Sequence, residues 1–337
     1  MTRGDRPETG PRWADYEFTA SVAPFPARGI PPPRAYPAPL YLHLPGRGTA
    51  LVSDLIDQAL ATTSIQARLA ADPYRLPECL KATAGQVLRV VNHGRRVFNG
   101  QVVGLRNDPL PGPVTLHLAR FFDVQCTNEM CTLRITHRPG GAQLDPRLRL
   151  LTDASGRLRT LADSTLANGV GVSTIAVTAA SRLVVVRQTA GNSASAGLLA
   201  PSGSGSLEPR DLAPLESLQA IARRGMEREL REETGARAGE IRSTRITGFA
   251  RWLERGAKPE FFGITELSAF EERDLAADER PYAGRAFTIA IDLPALGHEL
   301  RNGTALLDAA SLPARLKAEA SLPLLLALRA AALRHPS

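Results

Sequence analysis

Three glutamates, Glu229, Glu232 and Glu233, fall close together in the stretch RELREETGA, Arg228 to Ala236. On a helix, residues three and four apart share a face, with Cβ atoms about 5–6 Å apart. The three carboxylates would therefore project from one patch. Like charges this close repel one another and cost stability unless something positive sits among them. Arg228, four residues before Glu232, offers one guanidinium, which cannot neutralise three carboxylates. Magnesium is the natural counter-charge, because it takes oxygen ligands at about 2.0–2.1 Å and commonly works through a few carboxylates plus substrate phosphates. The plain alternative is a salt-bridged helix facing solvent, and the spacing alone leaves both open.

The nine residues carry more than a spacing. Arg228-Glu229-Leu230-Arg231-Glu232-Glu233-Thr234-Gly235-Ala236 resembles the second half of the Nudix box, whose pattern is Gly, five residues, Glu, seven residues, then Arg-Glu-apolar-x-Glu-Glu-x-Gly-apolar. Every defined position of that half is matched. The resemblance implies that Glu229, Glu232 and Glu233 hold Mg²⁺ or Mn²⁺, that Arg228 steadies a glutamate by hydrogen bonding, and that Gly235 closes the helix. It implies an α/β fold, a Nudix-like α/β/α sandwich with a mixed sheet, over residues 166–337. It also implies hydrolysis of a nucleoside diphosphate linked to another moiety, a small-molecule phosphoanhydride substrate. A Nudix scaffold kept as a nucleotide-sensing or protein-binding module, with weak hydrolysis, is the alternative.

The first half of the box departs from the pattern. Counting back from Arg228, the expected Gly falls on Pro214 and the expected Glu on Ala220. The glycines stand upstream in PSGSGSLEP, which resembles a box interrupted by an insertion of about ten residues. Gly203 or Gly205 would then stand for the missing Gly, and Glu208 or Glu216 for the missing carboxylate. A general base is also required. Glu271, Glu272 and Glu279 in FEERDLAADE are candidates beside the box glutamates, against the plain reading of a solvated acidic loop. Lys258 and Glu260, bordering the KPEFF segment, are candidate substrate contacts.

These residues need elements to position them. GVGVSTIAVT and RLVVVRQT read as two apolar strands, followed by a polar loop through the glycines. APLESLQAIARRGMERELREET then places Leu215, Leu218, Ile221, Ala222, Met226 and Leu230 at helical spacing, with Gly235 where a left-handed cap would end it. IRSTRITGFARWLE, PEFFGITEL and AFTIAIDL read as strands, and SLPLLLALRAAALRH as a helix with proline in its first turn.

Upstream, the patterning divides the chain into a Pro-rich segment over 1–40 and a strand-rich α+β region over 41–165. Leu51, Leu55, Ala59 and Leu60 suggest one helical face. QVLRVVNHG and RRVFNGQVVGL read as strands flanking a turn at His93-Gly94, with VTLHLARFFDV and CTLRITH following. Three roles suit this half: completing the pocket, pairing two copies as a homodimer, or binding a partner.

Composition narrows the classes. The chain has 337 residues and a formal charge of +7, but the excess is spread as isolated arginines with few aromatics among them. That argues against nucleic acid as partner. No apolar run approaches the ~18 residues of a membrane span, and no apolar segment follows the basic N-terminus as a secretory signal would. Cys79, Cys126 and Cys131 suit a reducing cytoplasm. The spacing of Cys126 and Cys131 near His117 and His137 does not match the usual zinc knuckle, so buried thiols are the better reading. PSGSGS lacks the order of a nucleophile elbow and the Gly-Lys that a P-loop requires. Trp252 and Phe261 could stack on a base, but in strands such residues are more often core.

Overall fold

A computed structural model describes residues 13–20, 30–93, 97–110, 112–189, 197–213, 216–271 and 283–335. Its centre is a nine-stranded mixed sheet. In order across the sheet run Leu199–Ala200, Arg182–Gln188, Gly171–Thr178, Lys258–Leu267, Ile241–Trp252, Gly48–Val52 and Leu40–Leu44. Gly203–Ser206 pairs with Gly171–Thr178, and Ala283–Ala290 with Arg182–Gln188. Gly171–Thr178 and Lys258–Leu267 run parallel, with Phe261 beside Val172 and Ile264 beside Ile175; the other pairs are antiparallel.

Because side chains alternate along a strand, the sheet has two apolar faces. Val172, Phe249 and Phe261 pack with Leu218, Ile221 and Met226 of the helix Leu218–Thr234, the box helix. Ile175, Leu183, Val185, Phe262 and Ile264 pack on the opposite face with Leu296 and the C-terminal helix Leu322–Leu333. That helix is apolar on nearly every side, and all but its last residue are buried, as such a composition requires. The result is an α/β/α sandwich.

The sheet edge is closed by the first half of the chain. The hairpin Leu40–Leu44 and Gly48–Val52 extends the sheet beside Ala250–Trp252. Further along, where Phe249 would otherwise expose its N–H, Asp57 of the helix Asp54–Thr62 accepts it at 2.8 Å. A small sheet of Ala67–Leu69, Val114–Arg120 and Gln101–Leu105 joins next to the glycine strand, where Val103 donates to Leu207 O at 2.8 Å and accepts from Val170 N at 2.9 Å. Trp13, Phe18, Val87, Met130 and Ile135 form a satellite core around Tyr16–Ala20 and Leu133–His137.

Several sequence expectations need correction. QVLRVVNHG is not a strand: Ala84–Val91 is a helix that buries Val87 in the satellite core, with Leu88, Val90 and Val91 packed at its side. Leu51 is in a strand, and the helix after it starts behind the Ser53 cap with Leu55 exposed, so the four spaced residues are not one face. The glycines of PSGSGS form a strand rather than a loop. Helices Leu293–Arg301 and Ala314–Glu319 were not anticipated.

Candidate functional site

The box helix begins at Ser217, whose side chain accepts from Ala220 N at 3.2 Å, and ends at Gly235 with φ 70°. Only a residue tolerant of the left-handed region closes a helix this way cheaply. Ala220, where the box pattern expects a glutamate, is thus part of the capped first turn. Pro214 lies outside the described residues.

The glycine strand Gly203–Ser206 runs under the C-terminal half of this helix. A Cβ on Gly203 would lie 2.3 Å from Leu230 N, and one on Gly205 would lie 2.0 Å from Glu229 Oε1. Neither position has room for a side chain, which explains both glycines by close approach. Ser204, between them, donates its backbone N–H to Glu233 Oε2 at 2.9 Å.

Arg228 is the hub of the cluster. It donates through Nε and Nη2 to the two oxygens of Asp211 at 3.0 and 2.9 Å, and through Nη2 to Ser206 O at 2.9 Å. Its Nη1 reaches Glu229 Oε1 at 2.7 Å and Glu232 Oε2 at 3.0 Å. Arg210 pairs with Glu208 at 2.7 Å and with the other oxygen of Glu232 at 3.2 Å. Glu229 and Glu233 are almost enclosed, and Glu232 is part-exposed. Burial, aided by the charges of Glu232 and Glu208 and opposed by Arg228, pushes the Glu229 carboxyl up to about 7. Its carboxylate partners hold the Arg228 guanidinium well above its usual range against the cost of its burial.

Of the expected residues, Glu229, Glu232, Glu233, Arg228, Gly203, Gly205 and Glu208 therefore come together. Glu216 does not: it pairs with Arg224 at the start of the helix. Lys258 and Glu260 do not either. Ser173 Oγ donates to Glu260 Oε1 at 2.8 Å, and Ser173, like Phe262 beside it, faces the C-terminal helix side of the sheet, away from Val172 and the box helix. There Lys258 and Glu260 lie buried near the Arg255–Glu129 ion pair, and burial lowers the Lys258 ammonium. Glu271 is exposed beyond the strand Lys258–Leu267, while Glu272 and Glu279 fall outside the described residues.

Asp211 is the residue that reading the sequence missed. It is buried, it forks with Arg228, and it also accepts from Glu208 N at 2.9 Å. Its only local signal is the turn after Pro209, and nothing in a 17-residue separation announces the pairing.

Whether this cluster suits a divalent cation can be tested on its donors. Glu208, Asp211, Glu229, Glu232 and Glu233 set five carboxylates against the guanidiniums of Arg210 and Arg228. The excess is negative, its donors are the hard oxygens that Mg²⁺ and Mn²⁺ take, and it sits at a helix C-terminus, where cations are favoured. Gly205 leaves the room in which the Glu229 carboxylate lies. The donor chemistry fits. The arrangement, however, has Arg228 as its counter-charge, and among the described residues no three His, Cys, Asp or Glu side chains stand grouped as a metal site.

No family model matches the sequence, and no curated protein matches it. Two solved structures are similar to part of this chain. DR0079 from Deinococcus radiodurans is 16% identical, with a TM-score of 0.30, over 48% of this chain and 81% of that one. Tm1382, assigned only provisionally as a Nudix hydrolase, is 14% identical, with a TM-score of 0.24, over 40% of this chain and 60% of that one. Likeness of this extent assigns no activity. Among the described residues no helix is long and apolar enough to cross a membrane.

Proposed function

We propose that this chain is a metal-dependent hydrolase of the Nudix type, acting on the phosphoanhydride bond of a nucleoside diphosphate linked to another moiety. The observation that carries the reading is the convergence of Glu229, Glu232 and Glu233, in the Arg-Glu-apolar-x-Glu-Glu-x-Gly-apolar pattern, with Glu208 and the glycine strand at one end of a capped helix. When bound, Mg²⁺ or Mn²⁺ would neutralise phosphate oxygens and make a bound water more acidic. Glu229, Glu232 and Glu233 would hold it. Arg228, anchored on Asp211, would keep Glu229 and Glu232 oriented, and Glu208 is the further carboxylate within reach of the cluster.

A second reading has one observation behind it: Arg228 already links Glu229 and Glu232 without help. On that reading the scaffold binds a nucleotide or protein and hydrolyses it weakly or not at all. The test is a panel of nucleoside diphosphate conjugates incubated with Mg²⁺ or Mn²⁺, using wild type and Glu232→Gln. Nucleotide release by wild type, cut at least a hundredfold in the variant, supports the hydrolase. A ligand-induced rise in melting temperature with no release in either would reject it in favour of the binding module.

A further inference from the structure

The two arginines of the acidic cluster are held in unlike ways. Arg228 is buried, and every N–H of its guanidinium has an acceptor among Asp211, Ser206 O, Glu229 and Glu232. Arg210 is exposed over 58% of its side chain. Its Nε donates to Glu208 Oε2 at 2.7 Å, and its Nη2 lies 3.2 Å from Glu232 Oε1. Exposed ion pairs of this kind contribute little to stability. Arg210 can therefore leave where Arg228 cannot.

The backbone under Arg210 is fixed even though its side chain is not. Arg210 sits in the short turn Pro209–Asp211, where proline sets one dihedral. Asp211 beside it is buried against Arg228, and its carboxylate accepts from Glu208 N at 2.9 Å. The Asp211 carbonyl accepts from Arg224 Nε at 2.8 Å. A departing guanidinium thus stays tethered within a side chain's reach of Glu208.

Glu208 comes from the start of this turn and Glu232 from the box helix, yet one oxygen of each faces the same positive charge. Arg228 holds the other oxygen of Glu232 at 3.0 Å, so Oε1 keeps its aim wherever Arg210 goes. Two carboxylate oxygens from separate elements, converging on one exposed guanidinium, make a position that a hard divalent ion can take over. The ion carries more positive charge than the guanidinium, into a cluster whose excess is negative. A guanidinium released from its carboxylates is in turn a fork suited to phosphate.

We propose that Arg210 is an exchangeable counter-ion: it yields its place between Glu208 and Glu232 to the divalent cation and then binds a phosphate of the substrate. Metal loading thus prepares the arginine for the phosphate. The inference rests on the hydrolase reading of the box and gives a role to a residue outside the box pattern.

Calorimetric titration of the whole chain with Mn²⁺ compares wild type with Arg210→Gln. Removing the competing charge should tighten Mn²⁺ about two- to fivefold, the worth of an exposed ion pair. Arg210→Lys, which keeps the charge, should stay near wild type. Nitrogen-15 spectra of wild type need no variant: Mg²⁺ should shift the Arg210 Nε–H resonance and speed its exchange with water, while Arg228 Nε–H stays protected. With saturating Mg²⁺, α,β-methylene-ADP, whose bridge resists hydrolysis, should bind Arg210→Gln about tenfold more weakly, the scale of one charged hydrogen bond. Equal or weaker Mn²⁺ binding in Arg210→Gln, an unmoved Arg210 Nε–H, or nucleotide binding that is absent or unchanged would each overturn the exchange and leave the metal reading of the box standing. No Mn²⁺ bound by either chain at millimolar metal would overturn both.

Discussion

Ser204 donates its backbone N–H to Glu233 Oε2 at 2.9 Å, tying the glycine strand to the last turn of the box helix. A carboxylate that accepts from a neighbouring strand is not loose in solvent. The acidic patch is part of the layer between helix and sheet, and the chemistry open to it is set by that packing.

The two glycines under the helix should respond differently to the same substitution. At Gly203 the new methyl would meet backbone, Leu230 N at 2.3 Å, which cannot swing aside. At Gly205 it would meet the end of the Glu229 side chain, which can. Gly203→Ala should cost about 1–3 kcal/mol in urea unfolding, on the scale of overpacked core sites. Gly205→Ala should cost less, but by displacing Glu229 it should cut any metal-dependent turnover by tenfold or more.

Arg228 should tolerate no replacement that loses its fork. Lysine keeps the charge but cannot reach both oxygens of Asp211 along with Glu229 and Glu232. Breaking a buried pair by removing one partner typically costs about 3–5 kcal/mol. Arg228→Met should fall in that range by chemical denaturation and Arg228→Lys somewhat below it. Unchanged midpoints would show that the hub is dispensable.

Asp57 supplies a pH signature. Burial raises its carboxyl from 3.8 to about 7, against the Phe249 N–H and the charges of Arg329 and Arg334. Between those values the folded chain keeps a proton that the unfolded chain has released. Stability therefore falls as pH rises through this window and levels off above it. Asp57→Asn keeps an acceptor for Phe249 N without the charge. Its stability relative to wild type should grow from pH 4 to pH 7 by up to about 4 kcal/mol, read from urea midpoints at each pH. A constant difference would mean that Asp57 does not titrate as described.

The thiols should separate cleanly. Cys79 is exposed, Cys126 and Cys131 are buried, and burial pushes the Cys126 thiol up to about 12. Since the thiolate is the reactive form, a thiol reagent on the native protein should modify Cys79 within minutes and the other two only on unfolding. Fast labelling of Cys126 would contradict its burial.

Much of the second half was legible because its signals are local. A helix through Met226 and Leu230, closed by Gly235, follows from spacing and from one residue that tolerates φ 70°. The strands from Gly171 to Gln188 and from Ile241 to Leu267 follow from their apolar runs. The helix at Ala84–Val91 was missed because Val87, Val90 and Val91 also suit a strand, and only the satellite core around Trp13 and Met130 decided between them.

By itself the sequence determined that three glutamates would share one helical patch and that glycines would stand near it. Tertiary structure alone decided which charges reach that patch. Asp211 and Arg210 arrive through a turn after the glycine strand, whereas strand alternation sends Lys258 and Glu260 to the sheet's other face. The reason is physical: helix spacing acts over a few residues, but the partner of a buried charge is chosen by which surfaces the whole chain brings into contact.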